Sequence, residues 1–394
     1  MAATPLPVVT ILADDLTGAC DTGCLFAGSG PVAVAVPPIL TADERRVVAI
    51  DTETRMLADA DAAAALRDAA GRLHARFGQG PVFKKIDSTM RGPVAAELAV
   101  LLEQGPPFAG ALVCPAFPAL RRVVSHGRLL VDSVPVHESP IGRDPGFRGG
   151  TSDLAALLAG AVPVIALGLD DVRAGCEKIA HVLEQHRGAV VAADATTDAD
   201  LASLARAALS VPGTLAAGSA GLGRALSEAL GMTGPAVALP AGRARLVVVG
   251  SLHPASRAQL DALERAGVAV VTVDASGRGD PAPAIAALER GRPAVVASAS
   301  APMARETIAR RLADTAARVL DRARADLVAV TGGDTAHALI RALRPRRFEL
   351  LGAPADGLAL GRLTRDGAAT LPVLTKAGGF GRPDLFTALL GGTS

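Results

Sequence analysis

Three stretches in the first quarter of this sequence gather side chains that can do chemistry. Ala13–Gly23 reads ADDLTGACDTG: an apolar run ends in two adjacent carboxylates, Asp14 and Asp15, followed by a Thr-Gly turn and a third carboxylate, Asp21. Carboxylates at a strand end can accept hydrogen bonds from sugar hydroxyls, take up a proton or hold Mg²⁺. One of them can equally cap the helix that follows. Adjacent residues on a strand face opposite ways, so one of the pair is expected to face a ligand. The second stretch, DTETR at Asp51–Arg55, follows a strand and offers Arg55 as a bidentate carboxylate partner, or as an ordinary surface turn. The third, KKIDSTMRG at Lys84–Gly92, packs Lys85, Asp87, Ser88, Thr89 and Arg91 into a short loop closed by glycine. Ser or Thr can cap the helix beginning near Pro93, whose free N–H groups and positive dipole end attract a carboxylate or phosphate. The alternative is a solvated, charged turn.

The second half carries a different signal. Gly250-Ser251 follows RLVVV, TGGDT (Thr331–Thr335) follows LVAV, and KAGGFG (Lys376–Gly381) follows LPVL. Glycine lets backbone N–H groups approach phosphates closely. One such turn means little, but three in one domain converge on a single sheet edge if their strands are parallel. There is no GxxxxGK[ST] segment. GSAGLG at Gly218–Gly223 matches the dinucleotide fingerprint only in part and is read as a packing turn ahead of a helix starting at Arg224.

These motifs need strands to place them. Short Val/Ile runs alternate with Ala/Leu/Arg-rich segments of helical spacing, which predicts an α/β fold: two α/β domains, each a largely parallel sheet flanked by helices, with a cleft between them. Strands are expected at Val8–Leu12, Val32–Val36, Val47–Ile50, Val82–Ile86 and Ala111–Val113, and after residue 240 at Arg245–Val249, Val268–Val273, Ala294–Ala297, Leu327–Val330 and Leu371–Thr375. Helices are expected at 60–76, 94–104 and 301–322 among others. The chain's 394 residues suit two domains of about 100–200 residues each. Gly231–Gly242, rich in Gly and Pro, is the expected linker, so 1–235 and 240–394 are taken as the domains. The Pro-rich stretch around residues 114–145 reads as a long loop with a hairpin lining the substrate cleft.

Composition removes several classes of function. Net charge is +1, and the chain has no Trp, no Tyr and nine Phe. It therefore offers neither the field nor the stacking platforms that nucleic acid requires. The N-terminus has no basic segment leading an apolar run, and the longest apolar stretch is broken by Pro163, so no signal peptide and no membrane span are expected. Cys20, Cys24, Cys114 and Cys176 lack metal-site spacing and read as small apolar residues in a reducing compartment, which places the protein in the cytoplasm. No metal ligands are assigned. The Ala-rich helices are compatible with a homodimer.

Taken together, ADDLTGACDTG, KKIDSTMRG, the CPAFPA…VDSVPVHES…DP stretch, Gly250-Ser251, GGDT and KAGGFG resemble, in order, the motifs of the four-carbon acid sugar kinase family. The resemblance implies an N-terminal acid-sugar-binding domain and a C-terminal nucleotide-binding domain. It implies ATP-dependent phosphorylation of a threonate- or erythronate-type acid on its terminal hydroxyl, with Mg²⁺ bridging the phosphates. It further implies that Asp15, Arg55, Lys85, Asp87, Ser88, Thr89 and Arg91 hold the sugar acid, with Asp15 as the catalytic residue and Asp14 structural. Ser251, Gly332, Gly333, Asp334, Thr335 and Gly378 would hold ATP. The chain departs from the family at Leu252-His253-Pro254, where a small hydroxyl or thiol residue is usual, at Ala377 in place of Ser, and at Asp334 in place of Glu. Two competing classes are a Mg²⁺-dependent sugar-phosphate phosphatase using Asp14 and Asp15, and a non-catalytic aldonate-binding protein. The adjacency of the two Asp residues weighs against the first, and the three glycine turns against the second.

Overall fold

A computed structural model describes residues 7–36, 45–104, 108–160, 162–274, 276–299, 304–367 and 369–390. Its strands in chain order are β1 (Val9–Ala13), β2 (Val32–Ala35), β3 (Val47–Asp51), β4 (Val82–Lys85), β5 (Gly110–Cys114), β6 (Arg122–Ser125), β7 (Arg128–Val131), β8 (Val134–Pro135), β9 (Val164–Leu167), β10 (Val190–Ala193), β11 (Thr214–Gly218), β12 (Arg245–Val249), β13 (Ala269–Val273), β14 (Ala294–Ser298), β15 (Leu327–Thr331), β16 (Arg347–Gly352), β17 (Leu358–Thr364) and β18 (Leu371–Lys376). The chain divides into two compact units, residues 1–30 with 37–234, and residues 31–36 with 235–394.

The first unit is built on a parallel sheet ordered β3-β1-β4-β11-β5-β10-β9. β1, β3 and β4 are buried along their whole length, as strands covered by helices on both faces must be. From β1 the chain moves to β3 on one side and then to β4 on the other. That reversal leaves a crevice at the carboxyl ends of β1 and β4, where open α/β sheets take their ligands. The loops that leave β1, β3 and β4 are the three polar stretches singled out from the sequence. The Pro-rich segment forms a separate antiparallel meander, β6-β7-β8, whose first turn is His126-Gly127, both at positive φ.

The second unit runs β13-β14-β12-β15-β18-β17-β16-β2. The first five are parallel, and β17, β16 and β2 continue antiparallel. Its core gathers Val247, Leu263, Val295, Leu327, Leu374 and Phe386. The same reversal recurs: β12 leads to β13 beyond β14, and β15 then returns to the other side of β12, with β18 next to it.

Several local expectations change. Val32–Ala35, expected among the strands of the N-terminal domain, pairs with Arg347–Gly352 of the second unit, a choice of partner that no local pattern encodes. The helix expected from Arg224 begins at Ala220, because Ser219 caps it by accepting from Gly221 N at 3.0 Å. Its glycines serve packing: a Cβ on Gly221 would lie 2.8 Å from Ala116 O, and one on Gly223 3.1 Å from Thr22. The expected linker is fastened at both ends, since Gly234 N donates to Leu25 O and Val237 N to Ala353 O. The helix expected from 301 is seen over Arg305–Leu320, and its first expected residues lie outside the described ones.

Candidate active site

At the end of β1 the two carboxylates separate as strand alternation requires. Asp14 turns inward, with 1% of its side chain exposed, and Asp15 stays at the surface of the crevice with 16%. Asp15 also begins the helix Leu16–Leu25: its Oδ1 accepts from Gly18 N at 2.8 Å and its Oδ2 from Thr17 Oγ1 at 2.7 Å. The helix cap and the more accessible of the two carboxylates are therefore one residue. Arg55 bridges the pair, with Nε and Nη2 donating to Asp14 and Nη1 to Asp15 at 2.6 Å. Burial alone would raise the Asp14 pKa, but Arg55, Lys84 and Lys85 outweigh it and hold the carboxyl below its ordinary value. The DTETR loop is pinned to the same strand end: Thr52 N and Oγ1 both donate to Ala13 O, and Arg55 N donates to Asp14 O. Gly92, at φ +98°, closes this corner, since a Cβ there would lie 3.4 Å from Asp14 Oδ2 and from the Arg55 backbone.

The adjacent lysines of β4 part in the same way. Lys84 is fully buried and donates to Glu97 Oε1 at 2.9 Å, where Thr54 Oγ1 also donates. Lys85 Nζ donates to Ile86 O at 2.9 Å and sits beside the start of the first helix. In the loop beyond, Asp87 accepts from Thr89 N and Oγ1 and from Arg91 Nε and Nη2, while Arg91 Nη1 reaches Asp144 at 3.3 Å. Asp87 is held well below the usual carboxylate range, because Arg91 and Arg55 overcome the effect of its burial. Ser88 accepts from Arg122 Nη1, a residue of β6.

In the second unit the three glycine turns meet at the carboxyl ends of β12, β15 and β18. A Cβ on Gly250 would lie 1.9 Å from Thr335 Oγ1, one on Gly378 2.5 Å from Ser251 Oγ, and one on Gly332 3.6 Å from Ser251. Gly332 N donates to Lys376 O, and the helix Gly333–Leu343 starts here with Gly332 as its N-cap. The carbonyls of KAGGFG are drawn inward: Lys376 Nζ takes Ala377 O, Gly378 O and Phe380 O, Ser256 Oγ takes Gly378 O, and Gln259 Nε2 takes Phe380 O, Gly381 O and Arg382 O. Carbonyls held from within do not oppose an anion placed at the turn, while Phe380 N donates back to Ala377 O. Burial pulls the Lys376 ammonium down to about 8.

A family described as a sugar-binding N-terminal domain matches residues 9–226, and one described as a nucleotide-binding C-terminal domain matches residues 246–386. The D-threonate kinase of Bordetella bronchiseptica is 37% identical over 405 residues, covering 96% of each chain. The chain belongs to the four-carbon acid sugar kinase family. The D-threonate kinase of Salmonella typhimurium is 31% identical over 407 residues, covering 94% of this chain and 95% of its own. A crystal structure of a B. bronchiseptica protein, a domain-swapped dimer with bound citrate, is 34% identical, covers 98% of both chains and superposes with a TM-score of 0.51.

For this acid sugar kinase family member, every candidate read from the sequence falls at one of two strand-end clusters. Asp15, Arg55, Lys85, Asp87, Ser88, Thr89 and Arg91 surround the ends of β1, β3 and β4, while Ser251, Gly332, Gly333, Asp334, Thr335 and Gly378 surround those of β12, β15 and β18. What the sequence did not foretell is how the charges pair. Each nitrogen of Arg55 and of Arg91 already donates to a carboxylate of this chain. Residues that build the site from outside the motifs also went unread: Glu97 and Arg122 in the first unit, and Ser256 and Gln259 in the second. The available signals were a carboxylate on the helix facing KKIDST and two polar residues on the otherwise core-facing side of helix Pro254–Arg265.

Proposed function

We propose that this chain is an ATP-dependent kinase that phosphorylates a four-carbon sugar acid of the threonate/erythronate type on its terminal hydroxyl. The observation that carries it is the convergence of three glycine turns in the second unit, in a chain whose first unit gathers Asp15, Lys85 and the KIDST loop at a sheet switch point. Phosphoryl transfer needs positioning and charge neutralisation more than covalent help. Asp15, the more accessible of the two carboxylates, orients the hydroxyl and accepts its proton. Lys85 lies next to it and neutralises charge at the reacting end. Ser251, Gly332, Gly333, Asp334, Thr335 and Gly378 surround the nucleotide phosphates, and a KAGGFG turn whose carbonyls are held by Lys376, Ser256 and Gln259 fits that use without the missing hydroxyl at Ala377. Among the described residues no three His, Cys, Asp or Glu side chains gather as a metal cage. The nucleotide phosphates themselves would hold Mg²⁺, which would supply charge neutralisation there. Four cysteines that form no disulfide fit a reducing, cytoplasmic setting, and no described helix is long and apolar enough to cross a membrane. Self-association is proposed by analogy with the dimeric B. bronchiseptica relative.

The test is an ATP-consumption screen over D- and L-threonate, D- and L-erythronate and their 3-oxo forms, with ³¹P–¹H NMR to locate the phosphate. Turnover confined to threonate or erythronate, with phosphorus coupled to the terminal CH₂, is the expected result. Phosphate release from sugar phosphates without ATP, or nucleotide binding with no turnover of any of these acids, would overturn it.

A further inference from the structure

A substrate carboxylate needs a cation whose donors are not already committed. Of the cations around the first crevice, Arg55 serves Asp14 and Asp15, Arg91 serves Asp87 and Asp144, and Lys84 serves Glu97. Among the described residues Lys85 and Arg122 are ion-paired with no carboxylate: Lys85 Nζ donates to Ile86 O and Arg122 Nη1 to Ser88 Oγ. The two stand at different places. A Cβ on Gly18 would lie 2.6 Å from Asp15 Oδ1 and 3.3 Å from Lys85 Nζ, so Lys85 shares the corner of the proposed catalytic carboxylate. Arg122 joins the loop further on, at Ser88.

We propose that Arg122, anchored on Ser88, holds the carboxylate of the sugar acid. A four-carbon acid carries its carboxylate at one end and the terminal hydroxyl at the other, so Arg122 takes the first and the Asp15–Lys85 corner the second. The assignment rests on the sugar-acid kinase function proposed above. The local fold is made to deliver this guanidinium. After β5 the chain makes a tight turn at Pro118–Leu120, Arg121 takes a left-handed φ of +55°, and Phe117 N donates to Arg122 O while Arg122 N donates to Phe117 O. That closed loop aims Arg122 back at Ser88, while Arg121 turns away to the exposed Asp132. A half-buried guanidinium with most of its five N–H donors uncommitted is costly unless something accepts them. Burial accordingly pulls its pKa below the ordinary value, the only lowered arginine among those whose shift is resolved. A planar carboxylate matches the open fork.

The experiment measures steady-state kinetics of the full-length Arg122→Gln and Arg122→Lys variants with the acid that the wild type turns over best. Loss of a charge-assisted pair predicts a KM for the acid raised about 10–100-fold in Arg122→Gln, with partial recovery in Arg122→Lys. The KM for ATP stays within about 2-fold, as does inhibition by the corresponding neutral tetritol, which has no carboxylate to lose. A purely structural role would move the ATP and tetritol constants as well, and that result, like an unchanged KM for the acid in Arg122→Gln, overturns the assignment. A wild-type chain that turns over no four-carbon acid would remove the kinase function itself, and the assignment with it.

Discussion

Arg55 holds Asp14 with two nitrogens, Nε on Oδ2 at 2.8 Å and Nη2 on Oδ1 at 2.7 Å, and spends its third on Asp15. The guanidinium thus ties the loop after β3 to the end of β1. Removing one partner of a buried pair leaves the other charge uncompensated, which costs about 3–5 kcal/mol. Asp14→Ala is expected to lose stability on that scale in chemical denaturation. Asp15→Asn keeps the cap hydrogen bond but sets an amide N–H against Arg55 Nη1, so it melts below the wild type while staying folded, and it loses turnover while ATP still binds. Full activity in Asp15→Asn would remove that residue from the chemistry.

Lys84 and Glu97 form a second buried pair behind the first, and Glu97 Oε2 is buried without a hydrogen bond. Burial pushes the Glu97 carboxyl above its usual value, against the pull of Lys84. Either single truncation, Lys84→Met or Glu97→Leu, should therefore destabilise by about 3–5 kcal/mol, and the double variant by clearly less than the sum. A double-mutant cycle on urea midpoints checks this. Additive losses would mean that the pair is not coupled.

Gly250 has no room for a side chain, since a Cβ would lie 1.9 Å from Thr335 Oγ1 and 3.0 Å from Leu312. Gly250→Ala must shift the GGDT helix start or its own turn, at a cost of about 1–3 kcal/mol. Isothermal titration should show ATP binding lost or weakened at least tenfold, while binding of the sugar acid persists. Unaltered ATP affinity would separate this turn from the nucleotide site.

Lys376 gives a pH signature. Its folded pKa of about 8 lies below the value of about 10.4 for an unfolded lysine. Between those values the unfolded chain carries a proton that the folded chain has released. Its contribution to stability is therefore least favourable below pH 8 and improves as the pH rises from there. Nucleotide affinity runs the other way, because the charge under the glycine turn is lost over the same range. The KM for ATP should rise as the pH passes through about 8 in the wild type, and that dependence should be absent in Lys376→Met. A flat wild-type profile between pH 7 and 9 would dissociate Lys376 from nucleotide binding.

Much of the molecule was legible in advance because it is written locally. Buried parallel strands announce themselves as uninterrupted apolar runs, as in VTILA and RLVVV, and the ligand crevice lies where such runs stop. β16 and β17 did not stand out. They belong to an antiparallel run with its own alternation, and although β16, β17 and β18 follow one another, the run's outer partner, Val32–Ala35, lies far away in the chain. The start of helix Ala220–Ala229 was hidden by glycines that serve close packing rather than a turn.

By itself, then, the sequence determined the α/β alternation, the strand ends at which Asp15, the KIDST loop, Gly250-Ser251, GGDT and KAGGFG stand, and the chemistry those residue types permit. Only the tertiary structure decided which charges neutralise one another. Arg55 and Asp14 are separated by 41 residues, Thr54 and Glu97 by 43, and Arg122 and Ser88 by 34. Ion pairing depends on distances of a few ångströms across the crevice, set by strand register and loop closure. Residue type shows that a cation is present; the fold alone shows whether its donors are already taken.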